Sequence, residues 1–139
     1  MLVMMFASSC DSTTRESTTR PTVVEGWTEF GKNMLGDATI YVDLDTIKKG
    51  GGYVYYWELR DYLKPFPNGN ISVKTYIEVD CGIPRKERGL SNLFYRESMG
   101  KGSTSATNTP EAPGWRHPIP DSVAKEILEE VCNVADHLP

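Results

Sequence analysis

The sequence predicts an α+β fold, in which an antiparallel sheet of five or six strands packs against one C-terminal helix in a single domain. A hydrophobic period of two begins at Trp27, turn residues interrupt it at intervals, and only one later segment has a helical period. The chain has 139 residues, 39% hydrophobic and 24% charged, with a net charge of −4. This composition is typical of one soluble globular domain. It excludes the large basic face of a nucleic-acid binder, so no nucleic-acid partner is expected.

The first strands follow from alternation. Apolar residues alternate with polar ones over 40–44, and residues 48–52 are predicted to form a hairpin loop. The segment 53–62 has aromatic residues on both faces, which favours a central strand. After a turn with an Asn-Gly signature at 65–70, alternation resumes over 71–79.

The C-terminal third is predicted to contain a strand at 90–99, a short Ser/Thr strand, a proline-rich loop and the helix. Asp121 or Ser122 is expected to be the N-cap of that helix. Its apolar stripe consists of Val123, Ile127, Leu128, Val131, Cys132 and Ala135. The opposite, acidic side is interpreted as a solvated face.

The cysteines allow several interpretations. If Cys10 carries a lipid, Cys81 and Cys132 remain as an even pair in an oxidising compartment, where a disulfide is the default. Cys81 is in phase with the apolar residues of its strand, and Cys132 lies on the helix stripe. A metal site is the alternative, but His117 and His137 are isolated and no CxxC spacing occurs. No catalytic thiol signature surrounds either cysteine.

The N-terminus resembles a bacterial lipoprotein signal. An apolar run at 1–6 leads through small residues to Cys10, so 1–9 are interpreted as a signal-peptide remnant and Cys10 as the lipidated residue. Residues 10–24 are interpreted as a Ser/Thr-rich tether to the membrane, since Ser-Thr-Thr-Arg occurs twice there. Asp11 resembles the signal that retains some lipoproteins at the inner membrane, which leaves the choice of membrane open. The alternative is a plain N-terminus with a buried cysteine.

No catalytic residue, metal ligand or cofactor motif is predicted, since the sequence has no nucleophile elbow, phosphate loop or HExxH. Two candidate partner-binding features remain. The loop after Cys81 carries a basic cluster, Arg85, Lys86 and Arg88, which could bind an acidic protein segment or be a solvated loop. The second is an exposed aromatic face suited to protein binding or homodimerisation, formed by Tyr41, Tyr56, Tyr62 and Phe66.

Taken together, the order and spacing of several motifs resemble the surface-adhesin protein E family. They are Trp27, Tyr41-Val42-Asp43-Leu44-Asp45-Thr46-Ile47, Val54-Tyr55-Tyr56-Trp57, Asp61-Tyr62, Glu78-Val79-Asp80-Cys81, Met99-Gly100-Lys101-Gly102, Trp115 and 120–132. The resemblance implies a domain at 25–139 whose sheet and helix are joined by a Cys81–Cys132 disulfide. It also implies a bacterial surface lipoprotein that binds extracellular-matrix or plasma proteins of a host.

Two functional hypotheses follow. The first is a non-enzymatic, lipid-anchored cell-envelope protein that acts as an adhesin. The second is a periplasmic accessory lipoprotein that binds an envelope protein complex and has no host ligand. Both place the chain in the bacterial envelope, at the outer membrane or on the periplasmic side of the inner membrane.

Overall fold

The computed structural model describes residues 21–139, which form an eight-stranded antiparallel sheet with one C-terminal helix. The elements are β1 (Val23–Val24), β2 (Trp27–Lys32), β3 (Ala38–Val42), β4 (Lys48–Gly50), β5 (Tyr53–Tyr62), β6 (Ser72–Asp80), β7 (Lys86–Tyr95), β8 (Thr104–Asn108) and α1 (Val123–Asp136). The strand order is β1-β2-β3-β5-β6-β7-β8, and β4 pairs with β5. The predicted fold class and single domain are confirmed. The proposed signal remnant, Cys10 and the tether up to residue 20 lie outside the described residues.

The sheet has more strands than predicted because two turns are only two residues long. Residues that we expected in the tether or in a hairpin loop therefore pair as strands. Glu25 and Gly26, with φ of 51° and 89°, form a two-residue turn that pairs β1 with β2. The tether prediction therefore extended too far, since β1 belongs to the sheet. Gly51 and Gly52, with φ of 60° and 88°, make the same kind of turn between β4 and β5. Residues 48–50, which we expected in the hairpin loop, pair with β5 instead.

The central strand β5 pairs with β6 on one edge and with both β3 and β4 on the other. A short 3-10 helix, Leu44–Thr46, separates β3 from β4, and the Asp43 carboxylate caps it by accepting from the Asp45 amide at 3.1 Å. On the far side, β7 begins at Lys86, four residues earlier than predicted, and ends at Tyr95. The loop between β6 and β7 is correspondingly shorter than expected.

Helix α1 packs on one side of this sheet. Ser122 is its N-cap and accepts a hydrogen bond from the Lys125 amide, as predicted. The core cluster contains Ile40, Val42, Ile47, Val54, Tyr56, Ile77, Val79, Ile127, Leu128, Val131, Cys132 and Ala135. Cys81, directly after β6, is disulfide-bonded to Cys132 of α1. The helix also approaches β2 closely, since a Cβ at Gly31 would lie 3.1 Å from Val123 Cγ2.

The two sides of the sheet differ in what covers them. We call the side that packs on α1 the helix face, and the opposite side the open face. Alternation along β5 places Val54 and Tyr56 in the core of the helix face, while Tyr55 and Trp57 are half-buried on the open face. The open face therefore keeps large aromatic side chains accessible.

Candidate functional site

The open face carries a row of aromatic side chains that we call the aromatic patch. Its members are Tyr53, Tyr55, Trp57, Tyr76 and Trp115. The Tyr76 ring centroid lies 5.8 Å from that of Tyr55 and 4.7 Å from that of Trp57, and the Tyr53 and Trp115 centroids are 5.5 Å apart. All five side chains are half-buried, so the patch is ordered by packing yet still reachable.

The sheet register builds most of the patch. Tyr53, Tyr55 and Trp57 are at alternate positions of β5, so they share one face, and Trp57 is paired with Tyr76 of β6. Trp115 comes from the proline-rich segment after β8. Backbone hydrogen bonds between the next residue, Arg116, and Glu87 of β7 hold that segment against the sheet at 2.9 and 2.8 Å.

Charged groups of β6 and β7 border the patch. The Glu78 carboxylate, nearly buried, accepts hydrogen bonds from the Tyr55 hydroxyl at 2.6 Å and from Arg88 Nε at 2.6 Å. The hydrogen bond to Glu78 raises the pKa of Tyr55, followed by burial of the hydroxyl, so the phenol stays a proton donor. The Arg88 guanidinium lies 4.2 Å from the Trp115 ring centroid, and Lys86 Nζ lies 4.9 Å from it.

This arrangement is suited to binding rather than to bond-breaking chemistry. Trp, Tyr and Arg are the residue types that dominate binding energy at protein interfaces. Here they are held in fixed positions by ring packing and by the Glu78 hydrogen bonds, which lowers the entropy lost on binding. The patch therefore has the composition and the rigidity of a protein-binding surface.

The predicted basic cluster is divided between two environments. Lys86 and Arg88 lie on β7, not in a loop, and their charges face Asp80 at 3.9 Å and Glu78 at 2.6 Å. The cluster is therefore largely neutralised, because the antiparallel register sets these two carboxylates opposite the two bases. Arg85 remains in the β6–β7 loop. It lines a separate hollow of about 560 Å³ with His117, Lys125 and Glu129.

Tyr56 does not belong to an exposed face. Its side chain is fully buried in the core under α1, and Tyr41 is also buried. The prediction was wrong because alternation assigns Tyr56 to the same side as Val54 but does not say which side the helix covers. Within residues 21–139, the Tyr56 hydroxyl has no hydrogen-bond partner. Burial raises its pKa well above the ordinary value, and the charges of Glu58 and Glu87 add to that effect.

Tyr62 and Phe66 lie together but away from the patch. Their rings are edge-on at 4.7 Å, and both line a cavity of about 510 Å³ on the part of the helix face that α1 leaves uncovered. Two ion pairs border this cavity. They are Arg60 with Glu58 at 2.9 Å and Arg116 with Glu87 at 3.0 Å. Tyr62 and Phe66 thus form a second, smaller aromatic site.

No group of three or more His, Cys, Asp or Glu side chains in the described part of the chain could hold a metal ion. Among those same residues, no helix has the length and apolar character needed to cross a bilayer.

A family model described as Surface-adhesin protein E matches residues 27–133. The chain belongs to the surface-adhesin protein E family. Two solved structures of Haemophilus influenzae protein E resemble this family member, each at 17% identity. One, in crystal form II, has a TM-score of 0.56 and covers 82% of this chain and 92% of its own. The other has a TM-score of 0.57, and the match covers 86% of this chain and 94% of the Haemophilus influenzae chain. At this identity the likeness shows a shared fold. Curated proteins gave no match.

In this member of the surface-adhesin protein E family, none of the five residues of the patch was predicted as a site residue. Alternation did place Tyr53, Tyr55 and Trp57 on one side of a strand, but it could not indicate that this side stays open. Tyr76 followed from the same period in the next strand. Trp115 had no local signal, because its position depends on the bridge between Glu87 and Arg116, which are 29 residues apart.

Proposed function

We propose that this chain is a non-enzymatic, lipid-anchored cell-envelope protein that binds another protein through the aromatic patch. The observation that carries the proposal is the row of rigid Tyr and Trp rings bordered by Arg88 and Lys86 on the open face. Family membership supports a surface adhesin, so extracellular-matrix and plasma proteins of a host are the partners we infer. Anchoring is inferred from the signal-like segment that ends at Cys10.

Binding tests use variants of the patch against a panel of purified matrix and plasma proteins immobilised on a sensor. Trp115→Ala removes the ring that contacts Tyr53, Lys86 and Arg88, so we expect it to weaken capture at least about tenfold, as for a hot-spot residue. Phe66→Ala is the matched control, since it removes an exposed aromatic ring from the other face. Equal losses in both variants, or none in either, would reject the patch as the binding surface.

The second candidate is a periplasmic accessory lipoprotein that binds an envelope complex. Asp11, next to the proposed lipidated Cys10, is the observation that favours it. Protease shaving of intact cells distinguishes the two, because an outward-facing adhesin is cleaved and a periplasmic protein is spared. Globomycin treatment in the same cells tests lipidation, since it blocks processing before Cys10 of a true lipoprotein.

A further inference from the structure

Exposed apolar side chains concentrate at one end of the sheet. Met34 and Leu35, in the turn between β2 and β3, are 81% and 85% exposed. The Leu63 amide donates to the Asp37 carbonyl at 3.0 Å, which places exposed Leu63 beside the same turn. Exposed Ile119, just before α1, lines a groove of about 580 Å³ together with Met34 and Leu35. We call these four residues the apolar end.

The turn holds its two apolar side chains outward in a fixed conformation. Asn33 Oδ1 accepts hydrogen bonds from the amides of Asp37 and Ala38, at 3.0 and 3.1 Å, and Asn33 Nδ2 donates to the Asp37 carboxylate at 2.6 Å. Met34 and Leu35 lie within the turn that these hydrogen bonds close, and both project into solvent. Lys32 lies two residues before Met34, Lys64 directly follows Leu63, and both lysines are exposed.

The course of the chain connects this end with the proposed lipid. The Glu29 amide donates to the Thr22 carbonyl at 2.8 Å, so the chain before β1 runs antiparallel to β2 and points towards Lys32. The distance along β2 from Glu29 to its last residue, Lys32, is about 10 Å at a strand rise of 3.3 Å per residue. The ten residues between Cys10 and Pro21 reach at most about 35 Å. A lipid on Cys10 would therefore keep the apolar end near the bilayer.

We propose that the apolar end contacts the lipid bilayer, with Met34 and Leu35 entering its interfacial region. This inference rests on the lipid anchor of the proposed function. Interfacial binding grows with buried apolar area, so a contact by these side chains adds to the lipid anchor and fixes the orientation of the domain on the bilayer. Lys32 and Lys64 can extend to anionic headgroups while Met34 and Leu35 enter the apolar layer.

The same orientation presents the aromatic patch away from the membrane. From Tyr62, beside the apolar end, β5 runs to Tyr53 in the patch, a distance of about 30 Å along the strand. The β6–β7 loop with Ile83 lies at that distal end. A bilayer under Met34 and Leu35 thus leaves the patch free for a protein partner.

Tryptophan scanning of the lipidated full-length chain tests the proposal. Leu35→Trp and Met34→Trp are compared with Ile83→Trp in vesicles of phosphatidylethanolamine and phosphatidylglycerol with brominated acyl chains. Ile83 is the matched control, since it is an apolar loop residue 88% exposed at the distal end. After subtraction of the wild-type signal, we expect a shift to shorter wavelength and a loss of intensity at positions 34 and 35, and neither at 83.

Intact mass of each preparation separates the two proposals. A lipidated Cys10 with no quenching at 34 or 35, or equal quenching at all three positions, overturns the orientation and leaves the anchor standing. An unmodified Cys10 overturns the anchor and, with it, the orientation. A shift at position 35 that appears without lipid and depends on protein concentration shows that a second copy covers this end, which also rejects the bilayer contact.

Discussion

The two faces of this sheet use similar residues for different purposes. On the helix face, Tyr56 is packed against α1 with no accessible surface, whereas on the open face its neighbour Tyr55 is half-buried and hydrogen-bonded to Glu78. The helix face gains stability from apolar burial and the disulfide. The open face keeps aromatic area in contact with solvent, as the proposed binding surface requires.

Among the changes that distinguish the two faces, we expect removal of the disulfide that joins α1 to the sheet to cause the largest loss of unfolding free energy. The double variant Cys81→Ser and Cys132→Ser should lose about 4 kcal/mol of unfolding free energy, from the chain-entropy treatment of a loop with a sequence separation of 51. Denaturant titration with and without a reductant measures it. Reductant should lower the stability of the wild-type chain and leave the double variant unchanged.

An unchanged midpoint in the double variant would mean that packing alone holds α1 in place. The helix face would then resemble the open face in depending only on side-chain contacts. The expected loss instead makes the helix face the part of the fold that depends on an oxidising compartment.

Removing the hydroxyl of either of two adjacent tyrosines should change the unfolding free energy by a smaller amount, with opposite signs on the two faces. Tyr56→Phe removes a buried hydroxyl that has no partner among residues 21–139, so it should stabilise the fold by about 1 kcal/mol. Tyr55→Phe removes the 2.6 Å hydrogen bond to Glu78 and should destabilise the fold by about 1 kcal/mol. Thermal and denaturant unfolding of both variants measure the difference.

Near-UV circular dichroism is the control that neither tyrosine variant repacks its surroundings. A loss of stability in Tyr56→Phe would show that its hydroxyl has a partner, such as a bound water molecule. Equal effects in the two variants would contradict the distinction between the faces.

Sequence reasoning predicted the helix face better than the open face, for a physical reason. The stripe from Val123 to Ala135, the Ser122 cap and the phase of Cys81 are local periodic signals, and each was confirmed. Tyr56 was assigned to an exposed face because alternation defines two sides without saying which one a distant helix covers. The neutralisation of Arg88 by Glu78 depends on strand register, which single-strand patterns do not contain.

The smallest expected effect concerns the charges on the uncovered part of the helix face. Burial raises the pKa of the Glu87 carboxyl above 4.5, and the charge of Glu58 adds to this, whereas Arg116 and Arg60 oppose it. The folded state therefore holds the proton to a higher pH than the unfolded state does. Stability from this group is fully present below pH 4.5 and is lost as pH rises through the folded-state pKa.

Glu87→Gln removes this titration. The unfolding free energy of the wild type minus that of Glu87→Gln should therefore fall as pH rises from 4.5 towards neutrality. Denaturant titrations at several pH values measure the difference, and the same substitution at exposed Glu111 controls for the loss of one carboxylate. A difference that rises with pH would mean that the Arg116 contact at 3.0 Å outweighs burial. In that case Glu87 would stabilise the folded state as an anion paired with Arg116.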